Sequence, residues 1–148
     1  MRMYTLENGV RIYRNESGKY HRDDGPAIEH PDGTRYWYQE GRLHRGNGPD
    51  GKPLPAVEDA DGGKSWYRHG LRHREDGPAE ITANGDKYWY IKGDLHRENG
   101  PALELEGIKC WYLRGKKHRL DGPAVVSSHG DTQYWRKGVQ VRKSGAPL

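Results

Sequence analysis

The chain contains no phenylalanine, a single cysteine (Cys110) and only 32% hydrophobic residues among its 148, with a mean hydropathy of −1.18. This shortage excludes a broad aliphatic core, because too little apolar surface is available to offset the entropy of ordering the chain. One cysteine excludes an intramolecular disulfide framework and suits a reducing compartment. No apolar run approaches the roughly 18 residues of a membrane span, and Met1 to Gly9 contain no apolar leader segment. The expectation is a cytoplasmic protein without membrane association. What is present is aromatic and turn-forming: five Trp, ten Tyr and 21 Gly. Each ring can bury roughly 150 to 250 Å², so a thin layer of rings can order even a chain this polar.

These residues recur in register. The phrase His-Arg-x-x-Gly-Pro-Ala, or a near copy, begins at His21, His44, His73, His96 and His118, with a decayed copy at Val141-Arg142, at spacings of 23, 29, 23, 22 and 23 residues. Self-similarity at such a period marks a stacked array whose units bury their apolar faces on one another. The units fall at about 8–31, 32–60, 61–83, 84–105, 106–129 and 130–148, forming one repeat domain over residues 1–148.

Within the fourth unit, Asn84-Gly85 favours a tight hairpin turn with positive φ at both residues. Aromatic Lys87-Tyr88-Trp89-Tyr90 and short, partly apolar Ala102-Leu103-Glu104-Leu105 read as strands, a second turn falls at Lys92-Gly93, and Pro101 marks an edge or a bend. Gly or Pro interrupts the chain too often for helices. The expected fold class is all-β: an elongated, twisted antiparallel sheet of about six tandem hairpin repeats of ~23 residues. Trp37, Trp66, Trp89 and Trp111 occupy one repeat position, and Tyr38, Tyr67, Tyr90 and Tyr112 the next. Neighbours in a strand face opposite ways, which would put a ladder of rings on each face of the sheet. Such a ladder is either the spine of the core or an exposed track for stacking bases or gripping a protein.

The units resemble MORN-type repeats, short β-hairpin repeats built around aromatic-x-x-Gly-x-x-His. The matching residues are Tyr38, Gly41 and His44; Tyr67, Gly70 and His73; Tyr90, Gly93 and His96; and Tyr112, Gly115 and His118. The continuation differs, since the family pattern His-Gly-x-Gly is replaced here by His-Arg-x-x-Gly-Pro-Ala. Variant repeats of this kind resemble those of bacterial antitoxin or immunity proteins and of phage and large-virus proteins. The resemblance implies an elongated antiparallel sheet with a binding function and carries over no catalytic residue.

The repeated histidines invite a metal site, but two ladder strands per unit at about 4.8 Å would place equivalent His residues roughly 10 Å apart. Two nitrogens on one zinc, each about 2.1 Å from the ion, lie at most about 4 Å apart. Equivalent histidines of adjacent units therefore share no mononuclear site, and their expected role is to lock one turn to the next through ring hydrogen bonds. A non-equivalent pair, His69 and His73, is the remaining metal candidate beside a plain surface role for His69. No metal and no cofactor is expected. Arg45, Arg74, Arg97 and Arg119, like Arg22, precede Asn47, Asp76, Asn99, Asp121 and Asp24 by two residues, acceptors that suit a guanidinium fork. The favoured reading is a brace for the Gly-Pro corner, and the competing one a row that reads phosphates. Glu29, Glu58 and Glu104, just after the Ala of their units, read as a solvated strand face, and no constellation for catalysis is found around Cys110 or elsewhere.

Two irregularities point to function. The second unit inserts Asp50-Gly51-Lys52-Pro53-Leu54-Pro55, which would present Leu54 as a stiff apolar tip beside Asp50 and Lys52. Residues 107–148 carry nine basic residues against two Asp, a balance of +7, while residues 1–106 carry −3. The basic residues are Lys109, Arg114, Lys116, Lys117, Arg119, Arg136, Lys137, Arg142 and Lys143. The expected function is a non-enzymatic binding protein that docks on an acidic protein partner and modulates or inhibits it, as antitoxin, immunity or phage anti-defence inhibitors do. The alternative is a nucleic-acid or nucleotide binder using the aromatic ladder and the basic end.

Overall fold

The computed structural model describes residues 1–148 and is built of strands and turns without helices. Thirteen strands form one antiparallel sheet in chain order: Arg2–Thr5, Arg11–Arg14, Ile28–Glu29, Arg35–Tyr36, Val57–Glu58, Lys64–Ser65, Glu80–Ile81, Lys87–Tyr88, Leu103–Leu105, Ile108–Cys110, Val125–Ser127, Thr132–Arg136 and Val139–Val141. This is the elongated all-β hairpin array that the repeat implies. Between successive pairs the chain leaves the sheet to form four small hairpins: Tyr38–Gln39 with Arg42–Leu43, Tyr67–Arg68 with Leu71–Arg72, Tyr90–Ile91 with Asp94–Leu95, and Tyr112–Leu113 with Lys116–Lys117.

The tryptophans stand where the chain leaves the sheet, and this corrects the picture of two aromatic ladders on opposite faces. Trp37, Trp66, Trp89 and Trp111 lie in no strand, so the alternation of a pleated strand does not apply to the Trp-Tyr pair. Each Trp N–H donates to the carbonyl of its unit's alanine (Ala56, Ala79, Ala102 or Ala124), and each Trp carbonyl accepts from its unit's histidine amide (His44, His73, His96 or His118). Only the last aromatic pair, Tyr134-Trp135, lies within a continuous strand, Thr132–Arg136.

Turn chemistry divides into two kinds. The sheet turn at Asn84-Gly85 is longer than a two-residue hairpin: Thr82 N–H donates to the Asp86 carbonyl at 3.0 Å, and only Gly85 has positive φ. Loops 30–34, 59–63 and 127–131 close in the same way. The Leu103–Leu105 and Ile108–Cys110 strands instead pair Leu105 with Ile108, one residue tighter, which accounts for the 22-residue spacing in an array otherwise near 23. The small hairpins carry two-residue turns with positive φ at both positions. Glu40, His69, Lys92 and Arg114, like Lys137 of the last turn, adopt φ of 48–51°, and each is followed by a glycine that also has positive φ.

The interior is narrow, as the composition requires. Only 15 residues are buried and no large side chain is completely so, whereas Ala27, Ala56, Ala79, Ala102 and Ala124 each have no exposed surface. Each alanine amide donates to a sheet-strand carbonyl of the next unit (Tyr36, Ser65, Tyr88, Cys110 or Gln133), so the alanine file joins neighbouring units through the backbone.

Packing beyond that file is supplied by arginine. The Arg45, Arg74, Arg97 and Arg119 guanidinium carbons lie 3.7–3.9 Å from the ring centroids of Trp37, Trp66, Trp89 and Trp111, and Arg22 lies 4.0 Å from Tyr13. Each also donates to the proline carbonyl of its corner, Pro26, Pro55, Pro78, Pro101 or Pro123, at 3.0–3.2 Å. Arginine as a corner brace is therefore the geometry found. Its carboxylate partner depends on the unit. Arg22, Arg74 and Arg119 use Asp24, Asp76 and Asp121 at 2.8–2.9 Å. Where that position is Asn47 or Asn99, Arg45 and Arg97 turn instead to Glu58 at 2.9 Å and Glu104 at 3.2 Å. Those two glutamates are thus brace partners and not a merely solvated strand face.

The motif glycine is required for space at this brace. A Cβ on Gly122 would sit 2.9 Å from the Arg119 guanidinium carbon, and the same holds at Gly25, Gly77 and Gly100 within 3.0 Å. The guanidinium could yield only by leaving both its indole and its proline carbonyl. Gly122→Ala should therefore lower the unfolding free energy by about 1–3 kcal/mol in urea titration, as overpacking does. Gly46→Ala, at a glycine with open space around it, should stay within about 0.5 kcal/mol of the parent.

Candidate interaction surface

The small hairpins form a second row, and a two-point joint attaches each to its predecessor. The turn glycine donates backward to a carbonyl, as Gly41 does to Tyr20, Gly70 to Leu43, Gly93 to Arg72, Gly115 to Leu95 and Gly138 to Lys117, at 2.8–2.9 Å. The preceding turn residue donates its N–H to a histidine Nδ1 of the unit before: Glu40 to His21, His69 to His44, Lys92 to His73, Arg114 to His96 and Lys137 to His118, at 2.9–3.1 Å. The ladder histidines thus lock one turn to the next. An Nδ1 that accepts must be unprotonated, so the remaining ring proton sits on Nε2, which in His21 and His73 faces Asp23 at 3.1 Å and Glu75 at 3.3 Å. Left-handed backbone costs a non-glycine residue roughly 1–2 kcal/mol, and the histidine bond helps to hold it there.

This joint leaves the turn side chains to solvent. In chain order they are Glu40, His69, Lys92, Arg114 and Lys137, all exposed, so the row passes from acidic to basic. Lys116 adds to the basic end, its stem lying over Gly138, and Lys117 places its ammonium 4.7 Å from the Trp135 ring centroid. Arg114, Lys116, Lys117 and Lys137 are therefore brought together on the last two hairpins. The other basic residues lie elsewhere. Lys109 is on a sheet strand, paired with Glu104 and Val126, and Arg136 folds against Gly145. Arg142 and Lys143 are exposed in the last turn, which the Arg142 N–H closes on the Ala146 carbonyl. Among the nine basic residues of 107–148, only Arg119 has a carboxylate within 4.0 Å. In the first 106 residues seven of the eleven arginines, Arg11, Arg22, Arg35, Arg45, Arg72, Arg74 and Arg97, are paired, while the five lysines there are not.

The insertion of the second unit does not present the apolar tip expected. Asp50 and Lys52 are exposed, but Leu54 is half-buried, with its Cδ2 3.4 Å from where a Cβ on Gly48 would lie. Pro53 gives its carbonyl to the Trp66 indole N–H at 3.1 Å. Because Arg45 braces Pro55, and Ala56 joins the alanine file, Pro55 occupies the motif proline's place and belongs to the scaffold. The loop folds back onto the array, with its Pro53 and Pro55 carbonyls taken by the Trp66 indole N–H and the Arg45 guanidinium.

Three features had no clear sequence signal or had one that went unread. The His44 and His69 rings stack with centroids 4.4 Å apart, and it is His44, rather than His73, that His69 meets. Arg72 lies between the rings of Tyr67 and Tyr90, 5.6 and 5.4 Å from their centroids. The tyrosine file is accordingly half-buried, and desolvation pushes the Tyr38, Tyr67 and Tyr112 phenols up. The third feature, the Arg–Glu pairing, was readable from the units that carry Asn in place of Asp. No group of three or more His, Cys, Asp or Glu side chains is placed to hold a metal ion. Burial pushes the Cys110 thiol up, against the opposing effect of Lys117, which is the reverse of an activated nucleophile.

Fold and surface together define a tandem β-hairpin repeat protein with one cationic end. No helix is long and apolar enough to cross a membrane. Compared with models of protein families, with curated proteins and with solved structures, the chain matches none.

Burial, followed by the charges of His69 and Arg68, holds His44 below the ordinary histidine value. A depressed folded value means that the unfolded chain takes up the proton first. The stability contributed by the neutral His44 joint is therefore complete above pH about 6.5 and is lost as the pH falls through the lower folded value. Urea midpoints measured from pH 8 to 5 should be level above about 7 and decline below about 6.5, with a shallower decline in His44→Gln.

Proposed function

We propose that the chain is a non-enzymatic, MORN-like repeat scaffold that docks its basic hairpin end onto an acidic surface of a partner protein and modulates or inhibits that partner. The observation that carries this reading is the absence of any intramolecular carboxylate within 4.0 Å of Arg114, Lys116, Lys117 or Lys137, on a chain whose earlier arginines are extensively paired. Exposed, unpaired charge of one sign raises encounter rates with an oppositely charged surface and contributes little to the fold itself. An antitoxin, immunity or phage anti-defence inhibitor is the most concrete form of this function, through the resemblance of the repeats. A protein partner is favoured over nucleic acid because base stacking needs an open track of rings, whereas Trp37, Trp66, Trp89 and Trp111 each have one face under a guanidinium and none is exposed.

The double variant Lys116→Glu/Lys137→Glu tests the surface. The parent chain, immobilised and exposed to extract from its native host, should retain one protein that raised salt elutes. The double variant should lose that protein at least tenfold while keeping the parent's thermal midpoint. Undiminished capture by the variant defeats the proposal. So does tight binding of an oligonucleotide that collapses between about 50 and 200 mM salt, which assigns the basic end to nucleic acid.

A further inference from the structure

A series of clefts runs along the His-Arg loops, one where each loop meets the next. Between the fourth and fifth units lies a cleft of about 580 Å³ walled by Gly100, Trp111, Leu113 and Leu120. One unit earlier an equivalent cleft of about 640 Å³ is walled by Gly77, Trp89 and Ile91. At the second and third units the cleft shrinks to about 330 Å³ with no hydrophobic wall, because the insertion already fills it. There the Pro53 carbonyl takes the Trp66 indole N–H at 3.1 Å, Leu54 packs on Gly48, and Trp66 is only 6% exposed. Trp89 and Trp111, at the same repeat position, are less buried, and their indole N–H groups are neither bonded within the protein nor sealed from solvent. The insertion is thus a built-in occupant of a site that the later units repeat and leave empty.

The last cleft differs from its predecessors in the direction of apolar recognition. Where the third and fourth units place Glu75 and Glu98 after the His-Arg pair, the fifth places Leu120, which is 68% exposed. Leu113 replaces Ile91 and Arg68 at the adjoining position. Leu113 and His118 also border Arg114, Lys116 and Lys137, so the cleft opens beside the basic end.

We infer that the Trp111 cleft receives an extended peptide segment of a partner protein, with a backbone carbonyl on the Trp111 indole N–H and a proline-flanked apolar side chain against Leu113 and Leu120. The inference rests on the partner-protein reading and names the segment that the partner contributes. The occupant's chemistry is taken from Lys52-Pro53-Leu54-Pro55, in which Pro53 gives the corresponding carbonyl to Trp66 and Leu54 packs on Gly48, the counterpart of the Gly100 that walls the Trp111 cleft. Proline suits such a segment because it is extended before binding and brings no amide donor that the cleft would have to satisfy.

The test is a titration of the ¹⁵N-labelled full chain with the end-blocked peptide Pro-Asp-Gly-Lys-Pro-Leu-Pro, the sequence of residues 49–55, observed at the tryptophan indole signals. The Trp111 signal should move progressively and saturate in the millimolar range, while that of Trp66, already occupied, stays in place. Leu120→Glu, which installs at an exposed position the residue found in the third and fourth units, should abolish the Trp111 shift and leave the other four indole signals unchanged. The inference is overturned if Trp111 does not respond, if Leu120→Glu responds like the parent, or if a nucleoside monophosphate produces the same saturating shift. The blocked peptide has no net charge, one Asp balancing one Lys. Its failure would remove the cleft without bearing on the charge-reversal result, and the converse also holds.

Discussion

A guanidinium held between an indole ring and a glycine Cα, and tied to a proline carbonyl, is the joint on which this protein depends. The chain has no phenylalanine, and no large side chain is completely buried. The joint converts one of the most polar side chains into packing material. The arginine stem and the flat face of the guanidinium cover the ring, while its nitrogens are satisfied by the Pro carbonyl and a carboxylate. Every word of His-Arg-x-x-Gly-Pro-Ala has a place in the joint. His seats the next turn, Arg stacks, Gly gives room, Pro offers its carbonyl, and Ala is the one side chain small enough to disappear into the file between units. In an array of this kind stability is close to a sum of unit terms and nearest-neighbour terms, so a joint made in full at Arg74, Arg97 and Arg119, and with a tyrosine ring at Arg22 and no glycine against Arg45, replaces a single large core.

The second consequence of the repeat is a set of positions that carry shape without constraining chemistry. The residue preceding the turn glycine must adopt left-handed backbone and direct its N–H to the previous histidine, but its side chain reaches solvent, whether paired as Glu40 is with Asn15 and His21, stacked as His69 is on His44, or free. Glu40, His69, Lys92, Arg114 and Lys137 all meet the same backbone demand with different charges. A charge gradient can therefore be written along the hairpin row with little effect on the scaffold. The clefts along the His-Arg loops work in the same way: Arg68, Ile91 and Leu113, or Glu75, Glu98 and Leu120, tune equivalent places from polar to apolar. The units thus differ in surface chemistry while sharing one scaffold.

The period, the all-β class, the hairpin turn at Lys92-Gly93 and the bracing by arginine were legible because they depend on local chemistry repeated in register. A residue pattern that returns five times supplies its own internal alignment. The Asn84-Gly85 turn was misjudged by one residue, since Thr82 and Asp86 close a wider loop than the dipeptide alone suggests. The exchange of Asn47 for Glu58, and of Asn99 for Glu104, depends on a side chain 13 residues away in one unit and seven in another. The difference between the two separations is the insertion's length; both glutamates stand two residues after the motif alanine, so Asn47 and Asn99 carried the only signal.

From the sequence alone came the array, its turns and its basic end, because spacing, positive-φ propensity and charge are properties of residues taken in order. Only the tertiary structure decided that four of the five tryptophans stand at corners outside the strands, that Leu54 folds inward while Pro53 occupies Trp66, and that Arg114, Lys116, Lys117 and Lys137 meet on neighbouring hairpins apart from Lys109. The physical reason is that each depends on how one unit is set against the next. That placement is fixed by amides donated across the joint, and a linear pattern does not reveal where such donors will point.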